Sequence, residues 1–131
     1  MDATHGLILF AHGSRDARWR EPIEAVATRV AELAPGLGVR CAYLELVAPD
    51  LSAAATDLIA GGARSICVLP LFLGIGKHLR DDLPRLVAQL RASHPEVHFG
   101  LQGAVGEAPE LIDLLARMAV ASVADGAISI D

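Results

Sequence analysis

The chain has 131 residues, is 53% hydrophobic, carries a formal net charge of −5 and holds only three Phe, one Trp and one Tyr. This much apolar matter suffices for one packed core and is too great for a disordered chain, while the negative balance and the few stacking rings count against a nucleic-acid binder. No apolar run reaches the roughly 20 residues of a membrane span, and the opening MDATHG holds an acid and no basic flank, so neither a membrane helix nor a signal peptide is expected and the protein is assigned to the cytoplasm.

LILFA, residues 7–11, is an apolar run of strand length and is expected to be a buried strand. Glu21-Pro22 is expected to open a helix running to about Ala34, because Ile23, Val26, Val30 and Leu33 recur at helical spacing and Pro suits a first turn. PGLG at 35–38 stops it, and VRCAYLELV, 39–47, reads as the second strand. Asp50 is the expected N-cap of a helix holding Leu51, Ala55, Leu58 and Ile59, which Gly61-Gly62 ends. SICVLPLFL, 65–73, is the most apolar segment and is expected to be a central strand, with GIGKH following as a loop. A third helix holds Leu83, Leu86, Val87 and Leu90 and ends near SHP. VHFGL, 97–101, alternates Val97, Phe99 and Leu101, the mark of an edge strand with one wetter face. The fourth helix is expected over about 107–123 with Leu111, Leu114, Leu115 and Met118 inward, and the tail DGAISID stays open between a short strand and a frayed end. Cys41 and Cys67 both fall in apolar segments and are expected to be buried thiols.

Strands alternating with helices imply the α/β class: a doubly wound, mainly parallel four-stranded sheet with helices on both faces, in flavodoxin-like order. One domain is expected over 1–131, with its core at about 7–123 and a tail at 124–131. Such sheets bind ligands beyond the carboxyl ends of their strands. The polar residues after the first and third strands therefore share one rim.

Of the five histidines, His5, His94 and His98 read as solvated or helix-capping groups. His12 and His78 differ, because each follows a strand at its carboxyl end and sits beside a glycine. Neighbouring strands lie about 5 Å apart, so two such histidines can converge on one divalent ion. Either alone is as well read as a loop histidine. Glu45, among Leu44, Leu46 and Val47, is open between a side chain at the solvated strand end and a third rim group serving as base, ligand or orienting partner. Arg15, Arg18 and Arg20 follow the first strand, and Lys77, Arg80 and Arg85 surround His78. Positive groups at the rim of an acidic chain suit a ligand bearing carboxylates; for Arg20 and Arg85, surface pairing with Asp16, Glu21, Asp81 or Asp82 explains them as well. Ser14 lies in no G-x-S-x-G elbow, and GIGKH lacks the spacing and hydroxyl of a phosphate loop. A phosphoryl-transfer site built on AHG would need an arginine before His12, where Ala11 stands.

FAHGSRD at 10–16, the Glu45 and Pro49 of YLELVAPDL, and LPLFLGIGKHLRDDLP at 69–84 with Pro70, Phe72, Leu73, Gly76, His78, Asp82 and Pro84 together resemble the small class II chelatases of the CbiX/SirB type. The resemblance covers residues 7 to about 120. It implies the doubly wound chelatase fold, a cytoplasmic homodimer, and ATP-independent insertion of a divalent metal, Co2+, Fe2+ or Ni2+, into sirohydrochlorin, with no permanently bound cofactor. It implies His12 as metal ligand and proton acceptor, His78 as second ligand, Glu45 as substrate or metal contact, and Leu73, Gly74, Ile75, Gly76 and Lys77 as the lining of the tetrapyrrole pocket. Arg15, Lys77 and Arg80 are candidate partners for the substrate's carboxylates. The competing reading is a non-catalytic metal or tetrapyrrole carrier using the same two histidines.

Overall fold

The computed structural model describes residues 4–126. Four parallel strands, β1 (His5–Ala11), β2 (Gly38–Tyr43), β3 (Ser65–Pro70) and β4 (His98–Leu101), form one sheet in the order β2-β1-β3-β4. They alternate with α1 (Ala17–Leu33), α2 (Leu51–Ala60), α3 (Lys77–Ser93) and, after a short 3₁₀ turn at Val105–Glu107, α4 (Pro109–Ala124). The expected doubly wound α/β architecture is thus present. β4 is an edge strand, as its alternation implies, and β3 lies inside the sheet.

Several boundaries differ from the sequence reading, for local reasons. α1 begins at Ala17, so Pro22 lies inside the helix and not in its first turn. The cap is Asp16, whose side chain accepts the Arg18 N–H at 2.9 Å, while Ser14 Oγ accepts the Asp16 N–H at 3.1 Å. Polar residues of HGSRD therefore serve as a helix start. β2 ends at Tyr43 and not at Val47: the chain turns away through Leu46, at φ 70°, and Pro49 O accepts the Tyr43 N–H at 2.9 Å. β3 ends at Pro70, which lacks an N–H, and α3 begins at Lys77, so Lys77 and His78 belong to a helical first turn and not to a loop. His5 opens β1 instead of lying in a tail. Asp50 caps α2 through the Ala53 N–H at 2.8 Å, and Gly61 ends it, as expected. The tail from residue 127 on lies outside the described residues.

The core lies between the sheet and the α2/α3 layer. Ile8, Phe10, Ile66, Val68 and Phe99 point into it and meet Leu58, Leu83, Val87 and Leu90. Each large side chain buried this way contributes about 1.5–3 kcal/mol. On the opposite face α1 covers β1 and β2, with Trp19 and Tyr43 ring centroids 6.2 Å apart. Cys41 and Cys67 are free thiols on that face, half-buried and not fully buried, flanking Leu9 and Leu7 of β1 in the strand register.

α4 contradicts its expected role. Leu114, Leu115 and Met118 are exposed, at 53%, 41% and 60%, and Leu111 is only half-buried. The helix packs on the preceding 3₁₀ turn and makes no substantial contact with the sheet among the described residues. A local apolar period says that a helix has a face to bury; it does not say against what. No described helix is long and apolar enough to cross a membrane.

Candidate functional site

The rim beyond the carboxyl ends of β1, β2 and β3 is built by backbone pairing that outlasts the strands. Ala11 O accepts the Leu44 N–H at 2.9 Å, His12 O accepts the Glu45 N–H at 3.0 Å, and Phe10 O accepts the Leu71 N–H at 2.7 Å. These bonds hold the 44–45 segment alongside residues 11–12. They place the His12 and Glu45 side chains together, with Nε2 and Oε1 2.8 Å apart. A carboxylate can only accept, so the imidazole donates from Nε2. Both side chains are about half exposed, at 53% and 55%. A pair this wet adds about 0–1 kcal/mol to stability; its effect is to aim the ring and leave Nδ1 as the free nitrogen.

Gly13 makes this approach feasible. Its φ is 108°, and a Cβ there would collide with the Glu45 carbonyl. Sequence reading found the glycine but not its neighbour, because the contact joins segments 32 residues apart only once β1 and β2 pair.

His78 stands exposed in the first turn of α3, on the same rim, and among the described residues its side chain makes no hydrogen bond or ion pair. The structure therefore joins His12 to Glu45 but does not bring His78 into contact with either. Among the described residues no three His, Cys, Asp or Glu side chains converge into a metal-binding group.

The 71–76 segment crosses the rim between β3 and α3. Phe72 anchors it in the core, edge-on to Phe10 with ring centroids 6.2 Å apart. Leu73, at 67% exposure, and Gly74 and Gly76 face outward, while Ile75 packs partly on the core. A Cβ at Gly74 or Gly76 would meet nothing within 4 Å, so neither glycine is required by the chain's own packing. A second support carries no local sequence signal: Gly106, in the 3₁₀ turn, donates its N–H to Phe72 O at 2.9 Å and lies so close to Leu73 that any Cβ would strike its carbonyl.

The cations divide. Arg20 pairs with Glu24 at 3.8 Å, Arg85 with Asp82 at 3.2 Å, and Arg80 with Glu107 at 3.4 Å. Arg15, Arg18 and Lys77 are exposed and form no ion pair among the described residues. The rim thus carries unneutralised positive charge in an acidic protein.

Known proteins share this fold. The family described as CbiX matches residues 6–121. A sirohydrochlorin cobaltochelatase of Saccharolobus solfataricus is 37% identical over 84 residues, 63% of this chain and 62% of that protein, so the matched stretch falls short of two thirds of the relative's length. A solved structure from Marinobacter aquaeolei, described as a cobalamin (vitamin B12) biosynthesis CbiX protein, is 36% identical and superposes with a TM-score of 0.79 over 92% of this chain and 98% of its own. The sirohydrochlorin chelatase SirB of Bacillus subtilis subspecies spizizenii, solved with cobalt, shares the fold at 22% identity, with a TM-score of 0.74 over 91% of this chain and 50% of its own. With residues 6–121 matched by the family and its fold shared over nearly its whole length, the chain belongs to the CbiX family.

Proposed function

We propose that this protein is a sirohydrochlorin chelatase that inserts a divalent metal, cobalt first among Co2+, Fe2+ and Ni2+, into the tetrapyrrole without ATP and without a resident cofactor, as a homodimer in the cytoplasm. The observation that carries this reading is the His12–Glu45 pair on the open rim, 2.8 Å apart, with Arg15 and Lys77 exposed in the segments that follow β1 and β3. Membership of the CbiX family and the cobaltochelatase relative support it.

Insertion breaks two pyrrole N–H bonds and binds the ring nitrogens to the ion, releasing two protons with no change of oxidation state. Something must take those protons near neutral pH, where an ordinary imidazole is available. His12 accepts one at Nδ1 and passes its Nε2 proton to Glu45, which faces solvent; the ring then resets for the second. The same nitrogen cannot hold a proton and the metal at once, so His12 guides the ion only when Nδ1 is free, and His78 supplies the second nitrogen across the rim. The macrocycle lies against Leu73, Gly74, Ile75, Gly76 and Lys77, where the missing side chains of the glycines leave room. Arg15, Lys77 and Arg80 receive its carboxylates.

The test is absorbance of sirohydrochlorin mixed with each metal, against an enzyme-free blank. His12→Ala is expected to lower the rate to the blank while circular dichroism stays that of the native fold; undiminished insertion would overturn the assignment. Stoichiometric binding by the native protein with no metallated product would mark a carrier instead.

A further inference from the structure

The segment proposed as the wall of the tetrapyrrole pocket has few fixed points of its own. Leu71 donates its N–H to Phe10 O at 2.7 Å, and the Phe72 ring sits edge-on to Phe10 in the core. Past Phe72 the next main-chain hydrogen bond of the segment is Gly76 O accepting the Arg80 N–H at 3.0 Å; among the described residues the main chain of 73–75 makes none. Leu73 is largely exposed, so packing does not hold its side chain either.

The 3₁₀ turn supplies the missing constraint. Gly106 N–H donates to Phe72 O at 2.9 Å, and the bare Cα of Gly106 lies so close to Leu73 that a Cβ would collide with its Cα and its carbonyl. The φ of Gly106 is not positive, so space and not conformation demands a glycine here. Gly13 makes the same kind of close approach to the main chain of Glu45, whereas a Cβ at Gly74, Gly76 or Gly103 would meet nothing. The turn is itself tied to the core: Val68 O accepts the Gln102 N–H at 3.0 Å, Ala104 is buried, and Ala104 O accepts the Glu107 N–H at 2.9 Å. Glu107 also meets Arg80 of α3 at 3.4 Å, so the turn touches the segment on both sides of its unbonded stretch.

We propose that Gly106 is a positioning residue for the tetrapyrrole: it fixes the height at which Leu73 projects over the rim, and with it the slot open to a flat ring. This rests on the chelatase reading above. A wall adds affinity for a flat ring only at van der Waals distance, because a gap of about 0.5–1 Å already forfeits a quarter to a half of the dispersion attraction. A wall free to recoil would also have to be ordered at each binding event, which weakens affinity. Main-chain contact with Gly106 orders it in advance.

The test separates KM from kcat in metal insertion, with Co2+ saturating and sirohydrochlorin varied. Gly106→Ala pushes the Leu73 carbonyl aside and is expected to raise KM for sirohydrochlorin about tenfold, with kcat within about threefold of native. Ala104→Gly loosens the same turn without adding an atom, so no clash threatens its fold, and is expected to raise KM about twofold. Val97→Ala, buried at the opposite end of the sheet, is expected to lower the melting temperature and leave KM unchanged. Unchanged KM in both turn variants, a loss confined to kcat, or an equal rise in Val97→Ala would overturn the brace. Titration of metal-free sirohydrochlorin into each protein reads the brace apart from the chemistry, with the same ratios expected in Kd. Native protein that binds sirohydrochlorin but yields no metallated product, with those Kd ratios intact, overturns the chelatase reading and leaves the brace; native insertion with unaltered KM in the turn variants does the reverse. A native protein that neither binds nor metallates sirohydrochlorin overturns both.

Discussion

The two faces of the sheet are covered to different extents. On the α2/α3 side Ile8, Phe10, Ile66, Val68 and Phe99 are each at most 1% exposed, sealed by helices from the same chain. On the other side α1 covers β1 and β2, and among the described residues the cover stops there, leaving Cys67 and Leu69 half-buried beside their fully buried neighbours on β3. In sequence the two sets are hard to tell apart, because SICVLP carries Ile66, Val68 and Pro70 on one face and Cys67 and Leu69 on the other. The difference teaches that an apolar strand can be composed on both faces while the helices of the chain cover one face more fully than the other.

The largest effect that can separate the faces is a core truncation. Phe99→Ala is expected to cost about 3–5 kcal/mol in denaturant unfolding, at any protein concentration. Leu69→Ala, half-buried on the open face, should cost less; equal losses would erase the distinction. A smaller effect is expected where the rim meets the 3₁₀ turn. Gly106→Ala forces the Leu73 carbonyl aside and should cost about 1–3 kcal/mol, whereas Gly74→Ala, in open space, should stay within about 0.5 kcal/mol of the native protein. Thermal melts compare the two.

The smallest effect is expected in alkali and falls on the α1 side. Burial, with Cys41 and Glu24 nearby, pushes the Tyr43 hydroxyl up to about 12 from an ordinary value near 10. Burial likewise raises the Cys41 thiol. A tyrosine whose folded pKa is raised contributes stability that is complete below about pH 10 and is lost as pH rises toward 12. Tyr43→Phe should flatten the stability profile in that window; an unchanged profile would show that the loss arises elsewhere.

Much of this molecule is legible in its sequence. Strand order in the chain, the edge position of β4, the Asp50 cap and the rim location of His12 all follow from period, capping chemistry and the rule that α/β sites lie beyond strand ends. The errors share one cause. LEL continues an apolar run and so reads Glu45 into a strand, yet β2 stops where Pro49 takes the Tyr43 N–H, and the turn brings the carboxylate to His12. The glycines before His78 read as a loop, yet α3 starts one residue before it.

The sequence by itself determined which segments form strands and helices and which faces are apolar, because those depend on residues a few positions apart. Tertiary structure alone decided what each apolar face meets and which polar groups touch. The His12–Glu45 contact needs β1 and β2 in register, the Gly106–Leu73 contact needs β4 beside β3, and the stand-off of α4 needs the turn that joins it to the rim. Each is a through-space contact between distant segments, on which local periodicity carries no information.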